Sequence, residues 1–420
     1  MPDRESWNWD EGQQEILDLA KLDEQYADVH ELVVSADGER IAAAVQQEDD
    51  SFGVCVNGET WDGEYEKAYG LTFTPSDKLM ALVQSDDEWT VAVEGESWDE
   101  TYEFAWNPQF SADGSVIAVQ TKNGMKYSIA KNGAAWEEQF VSMRDFAVSD
   151  DGEHVAATIQ TETLPEADIF KHFEGLWTIA VDGRAWGETY VNVYGPTFSS
   201  DGQHVAAEVR TDICEYTLAR DEQIWKSRYG CVWEPAFRPQ NGALFAPVRA
   251  KGAWTLAEND QTLWTGRYVQ LWRHATSPEG ARIAAVVAPS FGRWTVAVDD
   301  QPWAATVSDV VLTPVFCPQG KRVAAAVRDE GRWTMAVDGK LWPEGYDMVW
   351  EPVFSPNGEV IAAKVERDGR FGIAVDGRAR LDFERVWSPT FSPDGKHLLI
   401  RGIEDGAFVR RVTALKELRS

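Results

Sequence analysis

The sequence predicts an all-β chain folded as a β-propeller of about ten four-stranded blades. Three observations predict it: a turn that recurs along the whole chain, a tryptophan that recurs at the same period, and small side chains confined to one strand of each repeat.

The turn is clearest in Phe354-Ser355-Pro356-Asn357-Gly358 and Phe391-Ser392-Pro393-Asp394-Gly395. Pro presets φ and the final residue accepts the positive φ that closes the turn. That final position recurs at Gly38, Asp77, Gly114, Gly152, Gly202, Gly242, Gly280, Gly320, Gly358 and Gly395. The second marker is a turn dipeptide three residues ahead of Trp61, Trp98, Trp136, Trp186, Trp225, Trp264, Trp303 and Trp342. Their spacings are 37, 38 and 50 residues and then 39 throughout, and Arg380 follows Asp376-Gly377 in a ninth copy. Two independent markers with one period identify a repeat array.

Within a repeat, four strands follow. In the copy from Pro314 to Trp350, Pro314-Val315-Phe316 begins the first strand and Val323 to Val327 is the second. After Asp329-Glu330-Gly331, Trp333 to Val337 alternates as the third. Asp338-Gly339 is a two-residue hairpin signal leading to a fourth strand at Leu341-Trp342, and Tyr346 to Trp350 crosses to the next copy. Units of about 40 residues with four short antiparallel strands pack radially as propeller blades.

The side-chain sizes suit that wedge geometry. Second strands are small, as in Ile41-Ala42-Ala43-Ala44-Val45 and Ile283-Ala284-Ala285, whereas third strands carry Trp89, Trp177, Trp254, Trp294 and Trp333. The eight periodic tryptophans are therefore expected to pack between blades rather than bind ligand.

The whole chain, 1–420, is expected to be one repeat array, with one ring preferred over two five-bladed rings because no linker interrupts the period. N-terminal strands at about 14–30 (Gln14–Leu19 and Lys21–Tyr26), which resemble the third and fourth strands of a unit, are expected to complete the last blade, after its first and second strands at Pro389 to Ile400 and an apparent third at Phe408 to Thr413, and so close the ring. The long interval comes from an insertion, Thr161 to Gly175, between the second and third strands of the fourth unit. Its Phe170, Lys171, His172 and Phe173 are the candidate partner-contact residues, because propeller inserts project from a rim.

Little else looks like chemistry. The six histidines are dispersed, and His154, His204 and His397 follow turn glycines as blade-surface residues. P-loop, Gly-x-Gly-x-x-Gly, His-Glu-x-x-His and Gly-x-Ser-x-Gly patterns do not occur. Acidic pairs such as Asp49-Asp50, Asp86-Asp87 and Asp299-Asp300 lack the ligand spacing of a calcium loop. The four cysteines, Cys55, Cys214, Cys231 and Cys317, never form Cys-x-x-Cys and read as buried thiols in a reducing compartment. A net charge of −31 argues against nucleic acid and direct membrane binding, and reads first as a device for solubility and second as attraction to a basic partner. No signal-peptide core and no run of about 20 apolar residues is present. A cytoplasmic protein is the expectation.

The Phe-Ser-Pro-Asp-Gly-Lys units, best at Phe391 to Leu398, resemble the WD40-like repeats of TolB-type propellers. The Trp-Thr-x-Ala-Val-Asp-Gly-x-x-Trp units (Trp333 to Trp342, with Trp177 to Trp186 alike), the length and the acidity resemble the tryptophan-rich subunit of the Tmc transmembrane redox complexes of sulfate-reducing bacteria. That resemblance implies a cofactor-free, non-catalytic cytoplasmic subunit, held at the inner membrane by its partners. Those partners would be a cytochrome b, an iron–sulfur subunit and a multihaem cytochrome c. It supplies no catalytic, cofactor or metal residue. The alternatives are a channel-centred hydrolase or lactonase and a carbohydrate-binding propeller. An enzyme would need polar side chains converging at the first-strand ends, where the sequence offers mostly Pro, Phe and Trp.

Overall fold

Small second strands bracketed by tight turns give each repeat its own sheet. The computed structural model describes residues 4–164 and 168–419 and contains ten antiparallel sheets. They are WD40-like four-stranded blades, with strands a to d in sequence order except for d of the last, and blades one to ten have b at Ile41–Gln46, Leu79–Ser85, Ile117–Asn123, Val155–Gln160, Val205–Asp212, Leu244–Ala250, Ile283–Ser290, Val323–Asp329, Ile361–Arg367 and His397–Glu404. In blade eight, strand a is Val310–Val311 and Val315–Phe316, b is Val323–Asp329, c is Arg332–Val337 and d is Lys340–Leu341. Strand b is the most buried strand of each blade and becomes exposed only towards its end, whereas d is mostly exposed.

The a–b turn is held by a buried side chain. Ser35 Oγ donates to Asp37 Oδ1 at 2.6 Å and accepts the backbone N–H of Arg40 at 2.9 Å. Ser111, Ser149, Ser199, Ser355 and Ser392 repeat this pair of bonds. Thr74 accepts the matching bond from Lys78, and Cys317 Sγ accepts one from Arg322. The Asp or Asn of the c–d hairpin then ties that hairpin to strand b. Val323 N–H donates to Asp338 Oδ1 at 2.9 Å, and Ile41 N–H to Asn57 Oδ1 at 2.8 Å.

Ten apolar clusters fill ten blade interfaces. Blade five meets blade six through Ala206, Leu218, Trp225 and Val232, and blade ten meets blade one through Phe408, Trp387, Ile41 and Val45. Blade five therefore does not return to blade one, and the array is a single ten-bladed ring. Each periodic tryptophan lies at one of these seams. Trp61, Trp98, Trp136, Trp303 and Trp342 lie against the hairpin glycine of the following blade, at Gly95, Gly133, Gly183, Gly339 and Gly377. Where that glycine is replaced, a carboxylate bridges the seam instead. Asp300 accepts the N–H groups of Thr265 and Gly266, and Asp260 those of Lys226 and Ser227.

The ring closes by pairing the two ends of the chain. Gly12–Asp18 runs antiparallel to Ala407–Ala414 as strand d of blade ten, whose b is His397–Glu404 and c is Ala407–Ala414. Leu17 takes the place of the periodic tryptophan, against Gly58. Arg401 is buried across the seam and donates to Ser35 O at 2.9 Å, and Arg410 donates to Asp37 O at 2.8 Å.

Four details differ from the sequence reading. Only one of the two N-terminal segments forms a strand of the last blade, in the fourth position, beside the third strand expected at Phe408 to Thr413. Residues Ala20–Gln25 are a helix rather than a strand, with Asp18 Oδ1 accepting the Ala20 N–H at 3.1 Å and Leu22 buried. Strand a starts earlier than expected: Met348–Val349 already pairs with strand b, and Trp350, between it and Val353–Phe354, donates its N–H to Lys364 O at 3.0 Å. Cys214 is exposed and Cys231 half-buried, while Cys55 and Cys317 are buried.

A candidate docking face and an axial recess

Antiparallel order places every b–c hairpin and every d–a crossover on one face of the ring, and the a–b and c–d turns on the other. The insertion belongs to the first of these faces. Its base is closed by the Thr161 N–H donating to Leu176 O at 2.9 Å. Within it Ile169–Glu174 is a short helix capped by Asp168, whose Oδ1 accepts the Lys171 N–H at 2.9 Å. Residues 165–167 of the insertion lie outside the described residues.

The four candidate contact residues are neighbours on this helix but differ in their commitments. Phe170 is 81% exposed. Lys171 is engaged by Glu162 at 3.1 Å and Glu174 at 3.8 Å, and the Glu162 hydrogen bond raises its pKa. His172 and Phe173 stack edge to face, with centroids 5.3 Å apart, and Phe173 retains partial exposure. Phe170 is thus the side chain left unengaged at the tip.

The sequence reading missed the company Phe170 keeps. Eight of the twelve large exposed apolar side chains among the described residues lie on this same face. Met125, Ile213 and Phe291 stand at the b–c hairpins of blades three, five and seven, 82%, 56% and 93% exposed. Phe104 and Val269 stand at strand-a starts, and Leu164 and Phe173 join Phe170 in the insertion. The signal was present in the sequence: an apolar residue beside a turn where other copies place Asp, Glu or Lys. It becomes a surface only when the blades stand side by side.

The axis is more polar than the sequence suggested. Strand a carries a bulge in most blades, for example between His30 and Val33, Trp106 and Gln109, and Trp272 and His274. The bulge turns Glu31, Asn107, Glu234 and Arg273 into positive φ. The Pro and Phe of strand a lie beyond the bulge, so they do not line the axis alone. A recess of about 480 Å³ is lined by Glu234, Arg273, Leu312, Thr313, Ala326, Glu351 and Pro352, contributed by four consecutive blades. Beside it Glu208, on strand b of blade five, is 6% exposed. Burial, and then the Glu234 carboxylate, push the Glu208 pKa to about 8, so this acid is largely protonated at neutral pH. His274, partly buried against Phe245, bonds the Glu234 carbonyl at 2.5 Å, and its burial lowers its pKa.

The bulge also places a third tryptophan series that the repeat reading did not single out. Trp233 stacks on Trp254 at 5.7 Å and Trp272 on Trp294 at 4.8 Å, each pair within one blade. His154 and His204 are hydrogen-bonded to Asp182 and Asp221 at 2.6 Å. Among the described residues no group of three or more His, Cys, Asp or Glu could hold a metal ion, and no described helix is long and apolar enough to cross a membrane.

No protein-family model matches the chain, and no curated protein is similar to it in sequence. Among solved structures it is similar to a eukaryotic initiation factor, at 11% identity and a TM-score of 0.49, over 80% of this chain and 93% of that one. It is also similar to the Dos1 propeller, at 11% identity and a TM-score of 0.39, over 96% and 94% of the two chains. A third is the Cps50 (Swd1) β-propeller domain of Myceliophteria thermophila, at 13% identity and a TM-score of 0.32, over 65% and 97%. Likenesses this low say nothing about what the chain does. The propeller assignment rests on the strand pairing of the chain itself.

Proposed function

We propose that this chain is a non-catalytic docking subunit that engages other proteins through the b–c face. The observation that carries the reading is the gathering of Met125, Phe170, Ile213 and Phe291 on that one face. Soluble chains rarely leave large apolar side chains together at loop tips unless another surface covers them. The acidic loops of blades one, two and four, with Asp49, Asp50, Asp86 and Asp87 among them, would steer a basic partner onto it.

The assembly proposed is a membrane-associated redox complex of an anaerobic sulfate-reducing bacterium. Its cytochrome b, iron–sulfur and multihaem cytochrome c subunits would be the partners, and the propeller would sit on the cytoplasmic side without cofactor. That finer reading is supported by the sequence resemblance alone. Purification of the tagged chain from native membranes tests it, with Phe170→Ser/Phe173→Ser as the matched variant. Haem- or cluster-bearing subunits should co-purify in stoichiometric amounts and be depleted by the variant. Recovery of the propeller alone from mildly solubilised membranes would refute it.

A further inference from the structure

The charge on the docking face is not uniform. The b–c loops of blades one, two and four are acidic, as the net charge of −31 leads one to expect, while that of blade three carries Lys122 and Lys126. Across blades six and seven the sign reverses. The crossover into blade six carries Lys226 and Arg228, and the end of strand b in that blade carries Arg249 and Lys251. The crossover into blade seven carries Arg267, and its b–c hairpin carries Arg293. All six are exposed, and none forms an ion pair or a cation–π contact among the described residues. Of the acids of these two blades, Glu279 is at the a–b turn, Glu234 is on the axis, and Glu258, Asp260, Asp299 and Asp300 are at the c–d hairpins, where Asp260 accepts backbone N–H groups at Lys226 and Ser227 and Asp300 those at Thr265 and Gly266, without pairing with a cationic head group of the six.

Hydrogen bonds join the crossovers to the ends of the b strands. Gly230 N–H donates to Arg249 O at 3.0 Å, and Arg267 Nη2 donates to Lys251 O at 3.0 Å. Val269 N–H donates to Ala288 O at 2.9 Å, two residues ahead of Ser290 and the fully projecting Phe291. Exposed Val269 and Phe291 therefore stand among the cations. Acids flank the sector on both sides, with Asp212 and Glu215 on blade five and Asp309, Asp329 and Glu330 around blade eight.

We infer that this sector is a second docking site, for an acidic protein segment that also presents an apolar side chain to Phe291. Six like charges without counter-charges repel one another, and an anionic partner relieves that cost. The flanking acids decide the class of partner. A flat anionic membrane or a long nucleic acid would be pressed against the acidic arc of the same face, whereas a short peptide segment fits between the flanks. The inference deepens the docking reading but rests on different residues, so it can fail while docking through Phe170 stands.

The probe is a labelled dodecapeptide of alternating glutamate and leucine, followed by fluorescence anisotropy with the intact chain at low salt. The peptide should bind, and Lys251→Glu/Arg267→Glu/Arg293→Glu should weaken it at least about tenfold. Phe291→Ala should cost roughly threefold, and Phe170→Ser should change nothing. All six cations are exposed, so an unchanged melting temperature keeps loss of folding out of the comparison. Absence of binding, or equal binding by the triple variant, would overturn the inference. So would phosphatidylserine vesicles, single-stranded DNA or a second copy of the chain binding more tightly than the peptide through the same three residues.

Discussion

Trp303 lies beneath Gly339 of the next blade, so close that a Cβ at position 339 would stand 3.2 Å from the indole Cγ. Gly339 also holds φ at 79°. Gly339→Ala therefore meets both backbone strain and the indole, and should cost on the order of 2 kcal/mol. Gly331, at φ 81° with nothing within 4 Å of its would-be Cβ, is the control. Gly331→Ala should cost about half as much. Guanidinium denaturation midpoints check the pair, and equal losses would mean that the indole contact contributes nothing.

The carboxylate of Asp338 accepts the Val323 N–H at 2.9 Å and pairs with Arg322, which reaches over to Gly358 O and Glu359 O of blade nine. Asn occupies the same place at 57, 132 and 259 and keeps the backbone bond. Asp338→Asn should thus be nearly neutral, because the ion pair is exposed and worth little. Asp338→Ala should lose about 1 kcal/mol, because a strand-start donor is left unpaired. Thermal melts of the two variants should separate in that order.

Glu208 makes stability depend on pH. Its folded pKa is raised from 4.5 to about 8, so the folded state holds a proton that the unfolded chain releases. Folding is favoured below pH 4.5, relative to higher pH, as far as this group is concerned. That contribution falls as pH rises from 4.5 towards 8 and levels off above it. At about 1.36 kcal/mol per pKa unit the loss is at most of order 5 kcal/mol. Glu208→Gln should flatten the stability profile between pH 5 and pH 8, with its gain over the native chain growing as pH rises. Parallel profiles for the two proteins would contradict a buried, proton-holding Glu208.

Removal of residues 1–18 should open the ring. The strand Ala407–Ala414 would lose its outer partner and expose an unpaired edge beside Phe408 and Val409, both buried in the intact chain. Such edges template association. The truncated chain should melt several degrees lower and aggregate at a concentration where the full chain stays monodisperse in light scattering. Adding a peptide of residues 8–19 should partly restore the melting temperature.

Much of this architecture is written locally. Ser-x-Asp-Gly turns, Asp-Gly hairpins and alternating third strands act over a few residues, so their period and the four-stranded repeat are legible without any fold. The seam role of the tryptophans follows from the same period, because the residue one repeat further on that each indole meets is a glycine at five seams and an acid at three. Other features are decided by juxtaposition. Whether blade five meets blade one or blade six depends on how ten wedges share a circle. The outermost strand of blade ten could come from either of two N-terminal segments, and the helix at Ala20–Gln25 left only one. Glu208 and Glu234 become neighbours only across a blade seam. Lys251, Arg267 and Arg293 become one charged sector only where two blades stand side by side, because potential and burial depend on distances that a linear sequence does not contain.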